Sequence, residues 1–200
     1  LVLFVTLGLV WGLPDLVIKV AVESLEPAFI VFARVLLGAL VLMPIVIAKG
    51  QLRVLRGRWP WVLAFAVVEI TFTFLALSWA EQRISSSLAA LLIAAVPIVG
   101  AILAHLFGLD SHLTPRRILG LAIGFAGVGA LVGFDATGST WLSVAAVSIT
   151  VLGYSLGPII IEKRLKGVPS LPVIAAALLI NAIIYAPFGW LARPTQSVAA

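Results

Sequence analysis

The chain of 200 residues contains no cysteine, which excludes disulfides, thiolate metal sites and a cysteine nucleophile together. Charge is nearly as scarce: charged residues make up 10% of the chain, against about 25% in a typical soluble domain. With 62% hydrophobic residues and a mean hydropathy of +1.23, too little polar surface exists to cover a water-soluble globule. Histidine is limited to His105 and His112, on either side of a helix end with only Asp110 nearby, so no metal site is expected. No glycine loop occurs in a strand-loop-helix setting that could cradle phosphate, so neither ATP drive nor any other cofactor is expected. An initiator Met and a charged leading region are also lacking. The apolar start at Leu1 is a poor fit to a cleaved secretory signal; together with the small-residue tail Gln196 to Ala200 it reads as a fragment.

What is present is a series of seven long apolar runs, at residues 1–22, 27–48, 59–79, 85–108, 118–134, 140–161 and 171–191. Each can cross a bilayer, because about 20 residues at about 1.5 Å rise span the roughly 30 Å hydrocarbon core. A transmembrane barrel would show alternating segments of about 10 residues instead. The fold class is therefore an all-α polytopic membrane protein. Connectors are short, so sequential helices form antiparallel neighbours. Basic residues fall in every second gap: Lys49, Arg53, Arg56 and Arg58, then Arg116 and Arg117, then Lys163, Arg164 and Lys166, nine of 13 in all. The intervening gaps have almost none. The positive-inside rule then puts these gaps and the amino end on the cytoplasmic side of a cell membrane, plasma or bacterial inner. The net charge of +5 and pI near 10.3 follow from that orientation rather than from a nucleic-acid partner.

A charge retained inside a span costs about 2.5 to 3.5 kcal/mol on insertion scales, so each is a functional candidate. Asp15 and Arg34 both lie about 10 Å below the outer boundary, where an ion pair is reasonable. Lys19 follows Asp15 by one helical turn on the same stripe and is close enough to the interface to snorkel. Glu69 lies about 15 Å deep, near the midplane, and Trp11 shares that depth. These residues suggest a polar cavity open to the outside, in which Arg34 or Lys19 attracts an anionic or zwitterionic group and Glu69 or Asp15 binds protons or a cationic group. The alternative is a neutral structural network, since two acids and two bases cancel. Pro14 and Pro97 remove backbone donors and mark helix kinks that either line the cavity or serve packing. Tyr154 and Asn181, with Thr150 and Ser155, would bind substrate or bridge helices. Gly120 with Gly124 and Gly129 with Gly133 form small-residue faces for helix packing, which allow a homodimer. Ser85, Ser86 and Ser87 read as a helix start, not a nucleophile.

Landmarks at the two ends echo one another: Val10-Trp11-Gly12 and Val151-Leu152-Gly153, Pro27 and Pro169, Pro44 and Pro187. Segments one and six cross in opposite directions, so any repeat is inverted. The order Trp11-Gly12, Lys19, Pro27, Arg34, Ala76-Leu77, Ser85-Ser86-Ser87-Leu88-Ala89-Ala90-Leu91-Leu92, Pro97, Leu113-Thr114, Gly120 and Gly127-Val128 resembles the EamA family of the drug/metabolite transporter superfamily. The resemblance implies ten helices in two inverted five-helix repeats around a central cavity with alternating access. Residues 1–135 would be the first repeat and residues 140–200 the start of a second, truncated one, with about seven helices here. Asp110-Ser111 stands where the family often has Gly-Glu, and Asp15 and Glu69 are not part of the family pattern. The expected function is a secondary transporter of a small polar metabolite or drug-like compound, exporting it with proton coupling, and not an enzyme. A membrane-embedded lipid-modifying enzyme, a scaffold, and a nucleotide-sugar or sugar-phosphate exchanger are the alternatives. The partners implied are the small-molecule substrate and the lipid bilayer.

Overall fold

A computed structural model of the chain describes residues 6, 21, 25–109, 114–134 and 138–191. Helix α1, Pro27–Ala48, starts with proline in its first turn, where the missing N–H is not needed, and ends at Lys49. Gly50 follows in the left-handed conformation (φ 64°), which a side chain would resist. A 3₁₀ turn, Gln51–Leu55, buries Leu55 completely and leads into α2, Trp59–Phe65. The helix widens to a π turn over Ala66–Thr71 and resumes as α3, Phe72–Glu81. Helix α4, Ser86–Ile93, is capped by Ser85, whose hydroxyl accepts from the Leu88 N–H at 3.2 Å. Then come α5, Val96–Leu106, α6, Pro115–Phe134, α7, Gly138–Arg164, and α8, Ser170–Leu191.

Among the described residues five helices are long and apolar enough to span a membrane: Pro27–Ala48, Trp59–Glu81, Leu88–Leu106, Trp141–Arg164 and Ser170–Leu191. They account for runs two, three, four, six and seven; the fifth is α6, and the first lies outside the described residues apart from Thr6 and Ala21. Helices extend past the apolar runs where polar residues suit a terminus. Helix α6 starts three residues early on Pro115, and α7 continues through Lys163 and Arg164, whose charges complement its carboxyl end. The fourth run is not one straight helix. It breaks at residues 94–95, immediately before the turn that holds Pro97, whose ring nitrogen has no proton to give the preceding turn.

The three basic connectors gather at one end of the bundle. Arg58 Nη1 donates to the Lys166 carbonyl at 3.1 Å, the Arg164 guanidinium lies 4.3 Å over the Trp61 ring, and Lys163 sits 5.4 Å from the centre of Phe107, where the α5–α6 connector begins. Tryptophans mark both ends: Trp59 and Trp61 beside this basic edge, and Trp79, Trp141 and Trp190 at the other, as in the aromatic belts of membrane proteins. Large apolar side chains such as Leu37, Leu40 and Val41 are more than 60% exposed, a surface suited to lipid.

Packing divides into two apolar cores. One joins α1, α2 and α8 through Val31, Val35, Val62, Phe65, Ala176 and Tyr185. The other joins α3, α4 and α7 through Leu77, Ala80, Ala89, Leu92, Val147 and Val151. The third span contributes to both, and the changeover falls at its π turn.

Candidate functional site

The π turn follows from crowding in Val67-Val68-Glu69-Ile70-Thr71, where four of five residues are β-branched and pack poorly against a preceding α turn. The Phe72 N–H reaches back five residues to the Val67 carbonyl, and neighbouring carbonyls lose their usual partners. In hydrocarbon such groups must be satisfied from within the protein. Asn181 Nδ2 on α8 donates to the Ala66 carbonyl at 3.0 Å and to Ala177 at 2.9 Å, while its Oδ1 faces the Thr71 hydroxyl at 2.6 Å. The Tyr185 hydroxyl donates to the Thr71 carbonyl. On the other side, Thr73 donates to the Glu69 carbonyl, and Thr150 of α7 donates to the Thr73 carbonyl at 3.1 Å. Two helices thus hold the irregular segment open with polar side chains, at fixed height within the bundle.

That segment presents Glu69 to a cavity of about 870 Å³ between the two cores. Its walls come from the third span (Phe65, Phe74), the broken fourth (Pro97), α7 (Tyr154, Pro158) and α8 (Leu178). Glu69 is the one charged lining residue among those described, and Tyr154 the one other polar side chain. Glu69 Oε2 is buried without a hydrogen-bond partner among the described residues. Room for the carboxylate is made by Gly157 on α7, where an added Cβ would overlap it and stand 2.5 Å from Glu69 Cδ. One turn earlier, a Cβ at Gly153 would stand 2.6 Å from the Val68 carbonyl oxygen.

The structure therefore brings Glu69, Tyr154 and Pro97 together around one space. Asn181 is not among the described lining residues and bridges helices, one of the two roles the sequence left open: its amide is committed to the backbone of the π turn, which needs a donor and acceptor at that level. Arg34 does not line it either. Its guanidinium lies 4.6 Å over the ring of Phe74, and the ring forms the wall. Thr150 and Ser155 bridge to neighbouring backbone, Ser155 reaching the Val96 carbonyl of α5 at 3.3 Å. Trp11, Pro14, Asp15 and Lys19, and with them the Asp15–Arg34 pair, lie outside the described residues. Of the small-residue faces on α6, Gly124 meets Ile98 of α5, an added Cβ standing 2.9 Å from its tip, and Gly120 faces open space. The helix covers Gly129 and Gly133. Sequence reasoning missed Gly153, Gly157, Pro158 and the two phenylalanines. The Gly153 to Gly157 spacing, identical to that of Gly120 and Gly124, was the available signal.

A family model described as the EamA-like transporter family matches residues 1–133. Protein PagO of Salmonella typhimurium is 25% identical over 193 residues, a match that covers 94% of this chain and 63% of the relative. The chain thus spans less than two thirds of that relative's length. No solved structure matches the chain.

Proposed function

The chain belongs to the EamA-like transporter family, and from that premise we propose that it is a secondary transporter whose cargo occupies the cavity beside Glu69. The observation that carries this reading is the Glu69 carboxylate, the one charged group among the described lining residues, held by a π turn beside a space of about 870 Å³. Broken or widened helices at a cavity are where membrane proteins tolerate irregular backbone, and they supply local bending for alternating access. The breaks at residues 94–95 and at Ala66–Thr71 both border the same space. Glu69 carries the coupling charge, alternating between a proton and cargo, so that cargo leaves the cell as protons enter. The basic end of the bundle faces the cytoplasm of a cell membrane, by the positive-inside rule. The amino end is on the same side, and the two five-helix units are inverted about the cavity.

The apolar lining favours a drug-like compound over a polar metabolite, because polar groups buried without partners cost free energy. Exchange of nucleotide sugars or sugar phosphates is less well supported: no lysine or arginine lines the cavity among the described residues, and phosphates call for charged forks. A lipid-modifying enzyme is less well supported, because no base stands beside a nucleophile among the described lining residues.

The test is flux in vesicles reconstituted with the full-length protein under an imposed pH gradient. Glu69→Gln is expected to abolish the gradient-driven component while leaving protein insertion unchanged. Retained coupling in that variant would remove Glu69 from the mechanism.

A further inference from the structure

We propose that the basic end of the bundle holds the headgroup of an anionic phospholipid between Arg58 and Arg164, beside Trp61. By sequence, the three connectors at this end carry nine lysines and arginines against two carboxylates, Asp110 and Glu162. Glu162 already pairs with Lys166 at 3.2 Å. An excess of this kind orients a membrane protein, but orientation requires no particular arrangement of the cations. Arg58 and Arg164 have one. They belong to different connectors, and Arg58 Nη1 ties the two together by donating to the Lys166 carbonyl at 3.1 Å. The Arg164 guanidinium lies 4.3 Å over the ring of Trp61, whose N–H donates to the Arg58 carbonyl at 3.0 Å, so both contacts fall within one helical turn. Neither guanidinium makes an ion pair among the described residues.

The donors left over suit a phosphodiester. A guanidinium has five N–H groups in a planar fork that matches phosphate oxygens, and the carbonyl of Lys166 engages one nitrogen of Arg58. Arg164 meets the Trp61 ring through its charge and keeps its N–H groups for a second partner. The surroundings separate a lipid from a soluble phosphate. Trp59 and Trp61 are 45% and 38% exposed, and Leu63, further into the same span, is 48% exposed. Indole rings sit at the headgroup level of a bilayer, and an apolar side chain below them meets acyl chains. A phosphate between the two arginines therefore stands at headgroup depth, with its acyl chains along the outer face of the third span. A free anion makes no use of that apolar surface. Arg53 and Arg56 provide the contrast within the same end: both are exposed, and their side chains make no hydrogen bond, ion pair or ring contact among the described residues. They contribute to the field that attracts anionic lipid generally, whereas Arg58 and Arg164 give it a fixed place.

Native mass spectrometry of the full-length protein in detergent tests this without reference to what the cavity carries. The probes are dioleoyl phosphatidylglycerol and dioleoyl phosphatidylcholine, which share acyl chains and phosphate and differ in net charge. Phosphatidylglycerol is expected to bind at least about tenfold more tightly. In Arg58→Gln/Arg164→Gln that preference should fall to about twofold or less, while Arg53→Gln/Arg56→Gln, which removes the same charge from the same end, should keep it. Glycerol 1-phosphate in large excess should not displace the lipid. Equal binding of the two lipids by the unaltered protein would overturn the proposal. So would equal loss in both glutamine pairs, which would make the basic end an undivided field, and so would displacement by glycerol 1-phosphate, which would assign the arginines to soluble phosphates. If Arg58→Gln/Arg164→Gln does not elute as a monodisperse protein, Arg58→Lys/Arg164→Lys decides, since it keeps every charge and loses only the forks. The preference should then drop at least about threefold, and an undiminished preference would overturn the proposal.

Discussion

Two antiparallel seams run through this bundle, and they use glycine for opposite ends. Where α1 meets α8, the exchange is reciprocal. Leu178 of α8 fills the space over Gly38, at 2.9 Å from where a Cβ would stand, and Phe32 of α1 fills the space over Gly189, at 2.5 Å. Both remain α-helical along the seam, although each has an interior proline, Pro44 and Pro187, that leaves one carbonyl without its usual donor. Where the third span meets α7, the exchange is one-sided. Both glycines, Gly153 and Gly157, belong to α7, and what enters their space is the Thr73 methyl with the Val68 carbonyl at the first and the Glu69 carboxylate at the second. Side chains that fill glycine gaps give close van der Waals packing, which is what holds helices together in lipid. The Thr73 methyl supplies some of that packing, whereas a backbone carbonyl and a charged group give little. The first seam stabilises; the second makes room for a functional group, and the hydrogen bonds from Asn181, Tyr185 and Thr150 offset what it loses.

The sharpest way to break the comparison is to fill the one-sided seam. Gly153→Leu places a side chain against the Val68 carbonyl and the Thr73 methyl, and a backbone atom cannot retreat without opening the π turn. Overpacking of this kind is expected to cost about 3 kcal/mol, the upper part of the usual range. Thermal unfolding of the detergent-purified protein should show the drop, together with loss of gradient-driven flux in vesicles. A variant as stable as the parent would mean that α7 does not approach the π turn this closely.

Next in size is Asn181→Leu, which keeps the volume and removes the amide. The Ala66 carbonyl then keeps only the longer bond from the Thr71 hydroxyl at 3.3 Å, and the expected destabilisation is about 1 kcal/mol, the lower end of the cost of an unsatisfied buried polar group. Because Asn181 is not part of the cavity wall, the ranking of cargo affinities should stay the same. Altered ranking with unchanged stability would place Asn181 at the site after all.

The contrast between the seams also explains what could be read from sequence. Spans, their order and the clustering of Lys163, Arg164 and Arg58 at one end follow from hydropathy and charge, which act locally and leave a periodic trace. Glu69 was legible because a carboxylate in a long apolar run is costly wherever the helix sits. The role of Asn181 was not. A mid-span amide looks the same whether it meets cargo or a carbonyl freed by a π turn, and that turn depends on how Val67, Val68 and Ile70 settle against α7 and α8. Arg34 shows a similar limit: depth along a helix says nothing of the ring it stacks on. Gly157 is read as one more small residue until the carboxylate that needs its space is seen.

The smallest expected effect on stability couples the two regions. Gly38→Ala brings a methyl to 2.9 Å from Leu178 Cδ1, the far end of a side chain able to swing by a few tenths of an ångström. Alanine also favours a helix over glycine by up to about 1 kcal/mol, so gain and strain nearly cancel and the unfolding midpoint should barely move. Leu178, however, lines the cavity. Displaced from the seam, it moves into the space beside Glu69 and removes volume from the far wall. A bulky drug-like cargo should then be carried a few-fold more slowly in the vesicle assay, while a small one, which does not need that wall, should be carried as before. Equal loss for both ligands would point to a general distortion of the site. No loss for either would mean that Leu178 relaxes toward α1, leaving the stabilising seam and the cavity mechanically separate.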